Sequence, residues 1–426
     1  MIIGNYSFVN IKKSKSERYI IMITLYKLIH ELCPKGIEYK PLNAIASMTR
    51  GGNFQKKDYT ESGVPCIHYG QIYTQYDLFV SKTLSYISDE VAKKQKFAIT
   101  NDIIMAVTSE NIEDVCKCVA WLGDTKIAVS GHTAIIHHNQ NPKYLIYFFH
   151  SNMFFQQKKK IAHGTKVIEV APDKLGNICI PLPPLPVQAE IVRILDNFTE
   201  LTAELTAELT ARKKQYEFYR CKLLSFDDSV NYKTIEEIFE IKNGYTPSKS
   251  NKAFWENGEL PWFRMEDIRE NGRVLSSAKQ QITMKAAKNK PFAADSIIVS
   301  TSATIGEHAL IKVDFLCNQR FTCLTLKKEY KDIFDVTFLY YYCYKLDEFC
   351  LSNLNKGNFA SVDMSKFCKF KIPLIDISEQ KNIVSILNRF DKLCNDISEG
   401  LPAEISARQK QYEYYRDKLL SFREKT

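Results

Sequence analysis

Hydrophobic and polar positions alternate between two regimes along the chain. At Ile194, Phe198, Leu201, Leu205, Leu209, Tyr216, Tyr219, Leu223 and Phe226 the apolar residues are spaced almost entirely by three and four, with Arg212 filling one slot. That spacing predicts one long amphipathic helix with a heptad seam. Pro181, Pro183, Pro184 and Pro186 hold the lead-in extended, and Gln188 opens the periodic run. The seam returns at Ile386, Phe390, Leu393, Ile397, Leu401, Ile405, Arg408, Tyr412, Tyr415, Leu419 and Phe422, with one additional step of four. Gly400-Leu-Pro402 sits at that additional turn, where Pro402 is expected to kink the second helix. Between these runs lie short Val/Ile/Phe/Thr-rich stretches such as Ile103–Thr108 and Ser296–Thr301, separated by Gly, Asn, Asp and Pro. They predict mostly short strands with a few helices.

The helical regime is a repeat. Arg212–Phe226 and Arg408–Phe422 agree at twelve of fifteen positions, at a shift of 196. Ile180–Gln188 returns as Ile372–Gln380 at a shift of 192, so the second copy carries a four-residue insertion between those anchors. The globular segments echo each other more weakly: Gly63–Ile67 resembles Leu260–Phe263, and Gly164-Thr165 parallels Gly357-Asn358. The chain therefore divides into an N-terminal extension (1–24), a globular domain (25–180), a helix (181–228), a second globular domain (229–372) and a second helix (373–426). Two long amphipathic helices in one chain most simply pair with each other.

Composition narrows the class. A chain of 426 residues, 45% of them apolar, can bury two to four real cores, which excludes wholesale disorder. The twelve cysteines form no CxxC pair, which excludes a zinc ribbon or thioredoxin-like motif and fits a reduced, cytoplasmic protein. Tyr19–Ile29 is apolar but broken by Thr24 and Lys27, too short to span a bilayer and without a signal-peptide cleavage site, so no membrane is expected. Met22 is a second candidate start. The net charge is +9. The helix repeats carry six basic against six acidic side chains (180–226) and seven against eight (372–422). They sum to −1, leaving +10 on the other 328 residues. The positive excess lies on the diverged domains, as a polyanion site requires, although an ordinary soluble surface can carry as much.

Catalytic signatures are missing. There is no FxGxG, GxGxxG or GxxxxGK[ST] loop for S-adenosylmethionine, a dinucleotide or ATP. Asn141-Pro-Lys-Tyr144 lacks the second proline of the Asn-Pro-Pro-Tyr loop of amino-methyltransferases and reads as a turn. Pro172-Asp173 is not followed within thirty residues by the acidic-x-Lys pair of a nuclease. His132, His137 and His138 read as surface or packed residues, and Cys116 and Cys118 are expected on opposite faces of a strand. A non-catalytic chain with no cofactor and no metal is expected.

The plan resembles the specificity (S) subunit of Type I restriction–modification systems over nearly its whole length from about Leu25. The residues that carry the resemblance are Ile180–Gln188, the repeated Tyr-Glu-[FY]-Tyr-Arg-x-Lys-Leu-Leu-Ser-Phe block, and Thr202-Ala-Glu-Leu-Thr-Ala-Glu-Leu209. Val187, where the second copy has Glu379, and Pro402 depart from the pattern. The resemblance implies a DNA-specificity subunit reading a bipartite site in double-stranded DNA, one half per domain. It further implies a scaffold for two methyltransferase (modification) subunits and two restriction–translocase subunits. The implied fold class is α+β: two mixed α/β target-recognition domains joined by two long, antiparallel coiled-coil helices in a pseudo-two-fold tandem repeat. The competing reading is a coiled-coil adaptor whose basic domains bind another polyanion or a protein; neighbouring methyltransferase and ATPase–nuclease genes would separate the two. A fused restriction–methylation enzyme is disfavoured by the missing cofactor loop.

Candidate DNA contacts come from polar and basic loop clusters: Arg50, Asn53, Lys56, Lys57 and Gln71; Lys166; Lys249; Arg264 and Arg269; Arg320; and Lys356. Arg suits guanine and Asn or Gln suits adenine in the major groove, while Lys158–Lys160 and Lys249 are expected on phosphate. A coil constrains only its seam, yet the off-seam Lys214, Gln215, Glu217, Arg220 and Lys222 recur as Lys410, Gln411, Glu413, Arg416 and Lys418. They are the expected partner-binding surface.

Overall fold

The computed structural model describes residues 15–227, 229–288, 290–355, 360–396 and 398–425. The chain forms two compact units. Unit 1 comprises Met1–Glu204 together with Ser406–Thr426, and unit 2 comprises Leu205–Ile405. Among the described residues no helix is long and apolar enough to cross a membrane. Lys15–Leu32 is one helix running through residue 24, and its Leu25 is buried in the unit 1 core.

The first predicted helix is continuous over Leu185–Leu223. Pro186 lies in its first turn, where a missing N–H costs nothing. The second repeat differs from expectation. It is two helices, Ile377–Asn395 and Leu401–Leu419. The break is made before Pro402. The Asp396 carboxylate accepts the Ser398 and Glu399 N–H groups at 2.7 and 3.1 Å, turning the chain out of the helix. Gly400 then packs so closely that an added Cβ would lie 2.5 Å from the Lys392 carbonyl. Pro402 falls in the first turn of the next helix, so it follows the interruption and does not cause it.

Each unit pairs the start of one repeat with the end of the other. In unit 1 Phe198 stacks on Tyr415 with ring centroids 5.4 Å apart. In unit 2 Phe390 stacks on Tyr219 at 5.5 Å and on Tyr216 at 6.1 Å. Cys394 lies near Arg212 and Lys213 while the Asp391 carboxylate accepts the Tyr216 hydroxyl at 3.5 Å, so these two helices run antiparallel.

The lead-in glutamines are fully buried in both units. Gln188 accepts the Asn141 N–H at 3.1 Å and donates to the Gln140 side chain at 2.9 Å and the Pro183 carbonyl at 2.8 Å. Gln380 accepts the Asp335 N–H and donates to the Ile333 and Ile375 carbonyls, all at 2.9 Å. Asn141 and Asp335 are themselves helix N-caps, for Pro142–Phe149 and Val336–Ser352. A buried amide with every polar atom satisfied locks the long helix to its domain.

The domains share one sheet plan. In unit 1 a five-stranded sheet has the order Ala46–Arg50, Thr133–His138, Ile103–Ala106, Cys118–Trp121, Phe79–Val80. Unit 2 repeats it as Phe239–Asn243, Phe321–Leu326, Ser296–Ser300, His308–Ile311, Val274–Leu275. The third strands, Ile103–Ala106 and Ser296–Ser300, are buried throughout because layers cover both faces. A second sheet builds on Val64–Ile67 and Ile127–Val129 in unit 1, and on Leu260–Phe263 and Leu316–Cys317 in unit 2. The expectation for the two cysteines is overturned. Residues two apart along a strand share a face, and although Cys116 lies just before the strand at a φ of 68°, both thiols enter the same core. Burial pushes the Cys116 thiol up to about 12.

Candidate nucleic-acid interface

Three loops meet at the ends of these strands in each unit. In unit 1 they are residues 50–55, the junction at 68–69 before the helix Tyr69–Thr74, and residues 130–132. Backbone bonds tie them together. Gly52 N–H donates to the Val129 carbonyl at 2.7 Å, and Ser130 N–H to the Ile67 carbonyl at 3.1 Å. The Ser130 hydroxyl accepts the Tyr69 N–H at 2.8 Å. Gly51 is required for the crossing, because a Cβ there would lie 2.0 Å from the Ser130 carbonyl oxygen. The loops enclose a cavity of about 530 Å³ lined by Arg50, Asn53, Gln55, His68, Tyr69 and His132, among others. The His68 and His132 rings flank Tyr69 at 4.5 and 4.9 Å. Burial first, then Lys56 and His132, pushes His68 below its ordinary range, so its ring is neutral at pH 7.

Unit 2 builds the same frame with different side chains. Its loops are 244–249, the junction at Arg264 before Met265–Asn271, and 318–320. Tyr245 N–H donates to the Cys317 carbonyl at 2.8 Å, and Asn318 N–H to the Phe263 carbonyl at 3.1 Å, the counterpart of the Ser130–Ile67 bond. A Cβ on Gly244 would lie 2.2 Å from the Asn318 carbonyl. Around these loops unit 1 places Asn53, Gln55, His68 and His132, where unit 2 has Lys249, Arg264, Gln319 and Arg320.

The predicted DNA residues separate into groups. Arg50 and Asn53 line the cavity, and exposed Lys56 and Lys57 follow in a short turn. Arg50 is tethered, its Nε donating to the Gly131 carbonyl at 3.1 Å and its guanidinium pairing with Glu169 at 3.2 Å. Lys249, Arg264 and Arg320 belong to the three loops of unit 2, with Arg269 about one turn along the helix from Arg264. Lys166 is exposed but outside the three loops, and Lys356 lies outside the described residues. Two expectations are corrected. Gln71 is only 5% exposed, and its amide is used by the His68 N–H, Gln75 and the Ser85 hydroxyl, so it braces the junction instead of facing solvent. Lys158 is likewise 5% exposed, with Nζ donating to the Glu113 and Val115 carbonyls, out of reach of phosphate. Sequence reasoning missed His68 and the loop 130–132. The one available signal was positional: Ser130-Gly-His132 joins the same pair of strands as Asn318-Gln-Arg320.

The repeated helix surface also divides. Arg220 lies over the Tyr344 ring at 3.8 Å and the Tyr216 ring at 5.2 Å; Arg416 covers Tyr412 at 5.6 Å and bonds Asp417. Gln215 and Gln411 accept hydrogen bonds from Arg212 and Arg408 at 3.0 and 3.2 Å. These four are explained by packing within their own units. Lys214, Glu217, Lys222, Lys410, Glu413 and Lys418 stay exposed. Between them stand two aromatic residues the heptad reading overlooked because they fall off the seam: Phe218 is 62% exposed and Tyr414, its repeat, 60%.

Comparison with known proteins agrees with this plan. The family described as the Type I restriction modification DNA specificity domain matches twice, at residues 34–212 and 228–407. The EcoprrI specificity subunit of Escherichia coli is 53% identical over 203 residues, 46% of this chain and 51% of that protein. The chain thus spans about half the length of that curated relative. A putative type I restriction enzyme specificity subunit of Haemophilus influenzae is 31% identical across 91% of this chain and 96% of its own. A solved chain described in terms of complex assembly and conformational transition of the type I R-M system shares the fold with a TM-score of 0.61 at 17% identity, covering 91% of this chain and 98% of that one. With two matched domains and a full-length relative, the chain belongs to the Type I restriction–modification DNA specificity family.

Proposed function

We propose that this chain is the non-catalytic DNA-specificity subunit of a Type I restriction–modification complex. Each unit reads one half of a bipartite site in double-stranded DNA through its three-loop cluster. Lysines around the clusters, such as Lys56, Lys57 and Lys249, neutralise phosphates and position the duplex, while the cluster side chains meet base edges. The exposed surfaces around Phe218 and Tyr414 each hold one methyltransferase subunit, so two are bound per chain. Two restriction–translocase subunits complete the assembly, and the chain itself brings no cofactor.

One observation carries this reading. The loop clusters recur on one hydrogen-bond frame with different side chains, whereas the exposed helix surface recurs with nearly the same side chains. Two different half-sites and one partner docked twice demand that combination. The test is to co-express the chain with its methyltransferase partner and map methylated adenines genome-wide. A two-part motif with an unspecified gap is expected. A contiguous motif, or methylation by the chain without the partner, would sink the reading.

A further inference from the structure

We infer that Arg320 is the guanine-reading residue of the half-site served by unit 2. The inference rests on the function proposed above and sharpens it to one side chain. Three arginines stand in or beside the loops of unit 2, and two are already committed. Arg264 pairs with Glu266 at 3.1 Å, and Arg269 with Glu307 at 3.3 Å. Arg320 is exposed and has no carboxylate partner among the described residues.

Its backbone, by contrast, is held from both sides. The Arg320 N–H donates to Asn318 Oδ1 at 3.0 Å, and its carbonyl accepts the Thr301 N–H at 3.0 Å. Asn318 is anchored in turn by its N–H to the Phe263 carbonyl. The neighbouring Gln319 side chain is engaged by the Thr246 hydroxyl and braces the first loop against the third. An exposed guanidinium on a fixed backbone is the arrangement that bidentate recognition of guanine O6 and N7 needs. The donors form a rigid fork, and only side-chain freedom is lost on binding.

Unit 1 supplies the contrast. Across residues 25–180 Arg50 is the one arginine, and it is tethered to Gly131 and Glu169. The amides that its cavity offers, Asn53 and Gln55, suit adenine instead. A guanine contact of this kind therefore belongs to one half-site only.

The experiment uses the full chain co-expressed with its methyltransferase partner, comparing wild type with Arg320→Ala and Arg320→Gln by genome-wide mapping of methylated adenine. The expected result is that one G·C position in one half-site relaxes, with discrimination there falling roughly 5- to 100-fold, while the other half-site and the gap are unchanged. Arg320→Gln, whose amide suits adenine, should shift that position towards A·T. An even loss of methylation with no position relaxed would make Arg320 a phosphate contact and overturn the inference. So would complete loss of methylation by a normally folded variant, since one base contact gives a graded effect. A two-part wild-type motif that neither variant changes removes the inference alone, whereas a wild-type complex with no two-part motif removes the proposed function beneath it.

Discussion

Units 1 and 2 close the same contact by different means. In unit 2 the Tyr232 hydroxyl bonds the Phe226 carbonyl at 3.4 Å, six residues away along the chain. In unit 1 the Tyr39 hydroxyl bonds the Phe422 carbonyl at 3.1 Å, across a separation of 383 residues. The flanking strands match in register, Tyr39 opposite Pro181 and Tyr232 opposite Pro373. In unit 1 the chain terminus is held further by the Ile37 N–H on the Arg423 carbonyl and the Lys425 N–H on the Ile37 carbonyl. Unit 1 is thus closed by packing between two stretches far apart in the sequence. What one domain obtains from continuity, the other obtains from hydrogen bonds and buried apolar surface.

The largest effect expected from this difference follows truncation after Ile405. Unit 1 would lose Tyr412, Leu419 and Leu420 from its core. At about 1.5–3 kcal/mol for each buried side chain the loss is at least about 5 kcal/mol, comparable to the stability of a whole domain. Hydrogen exchange should show unit 1 unprotected and unit 2 protected; protection of both would break the comparison. Next come Gln188→Ala and Gln380→Ala, which strand buried N–H and carbonyl groups in otherwise equivalent clamps. Each should cost about 3 kcal/mol in urea unfolding, confined to its own unit. A third pair, Phe218→Ala and Tyr414→Ala, should change stability by less than about 0.5 kcal/mol. Each should weaken one of the two proposed methyltransferase sites by about 2 kcal/mol, or roughly 30-fold, in titration calorimetry. Equal weakening of both sites by one substitution would refute independent docking.

The smallest effect is on acid stability. Burial pushes His138 and His150 of unit 1 down to about 4. Both are neutral when folded, and the unfolded chain takes up protons first. Their stability contribution is therefore complete above about pH 6.5 and is lost as pH falls from there towards about 4. Unit 2 has one such buried histidine, His308, also lowered chiefly by burial but opposed by Asp347 at 2.7 Å. At pH 6 unit 1 should have lost about 1 kcal/mol more than unit 2, as read by unit-resolved hydrogen exchange.

The repeat, the long helices, the strand-rich domains between them and the family they resemble are all legible in the amino-acid sequence. Seam periodicity and turn residues are local signals, carried by residues three or four apart or by a Gly or Pro in place. It also pointed to two of the three loops in unit 1, through Arg50, Asn53 and their neighbours. The tertiary structure alone decided the rest. It brought 130–132 against 50–55, because that contact depends on which strands lie side by side. It buried Gln71 and Lys158 and turned Arg220 onto Tyr344, since a polar side chain goes inside only where distant backbone or rings supply its partners. It set the helix break at Asp396–Gly400 ahead of Pro402, and it completed unit 1 with residues from the far end of the chain. Spacing along a sequence records which face of a helix is apolar; only the folded chain records what that face, or a loop beside it, finds as a neighbour.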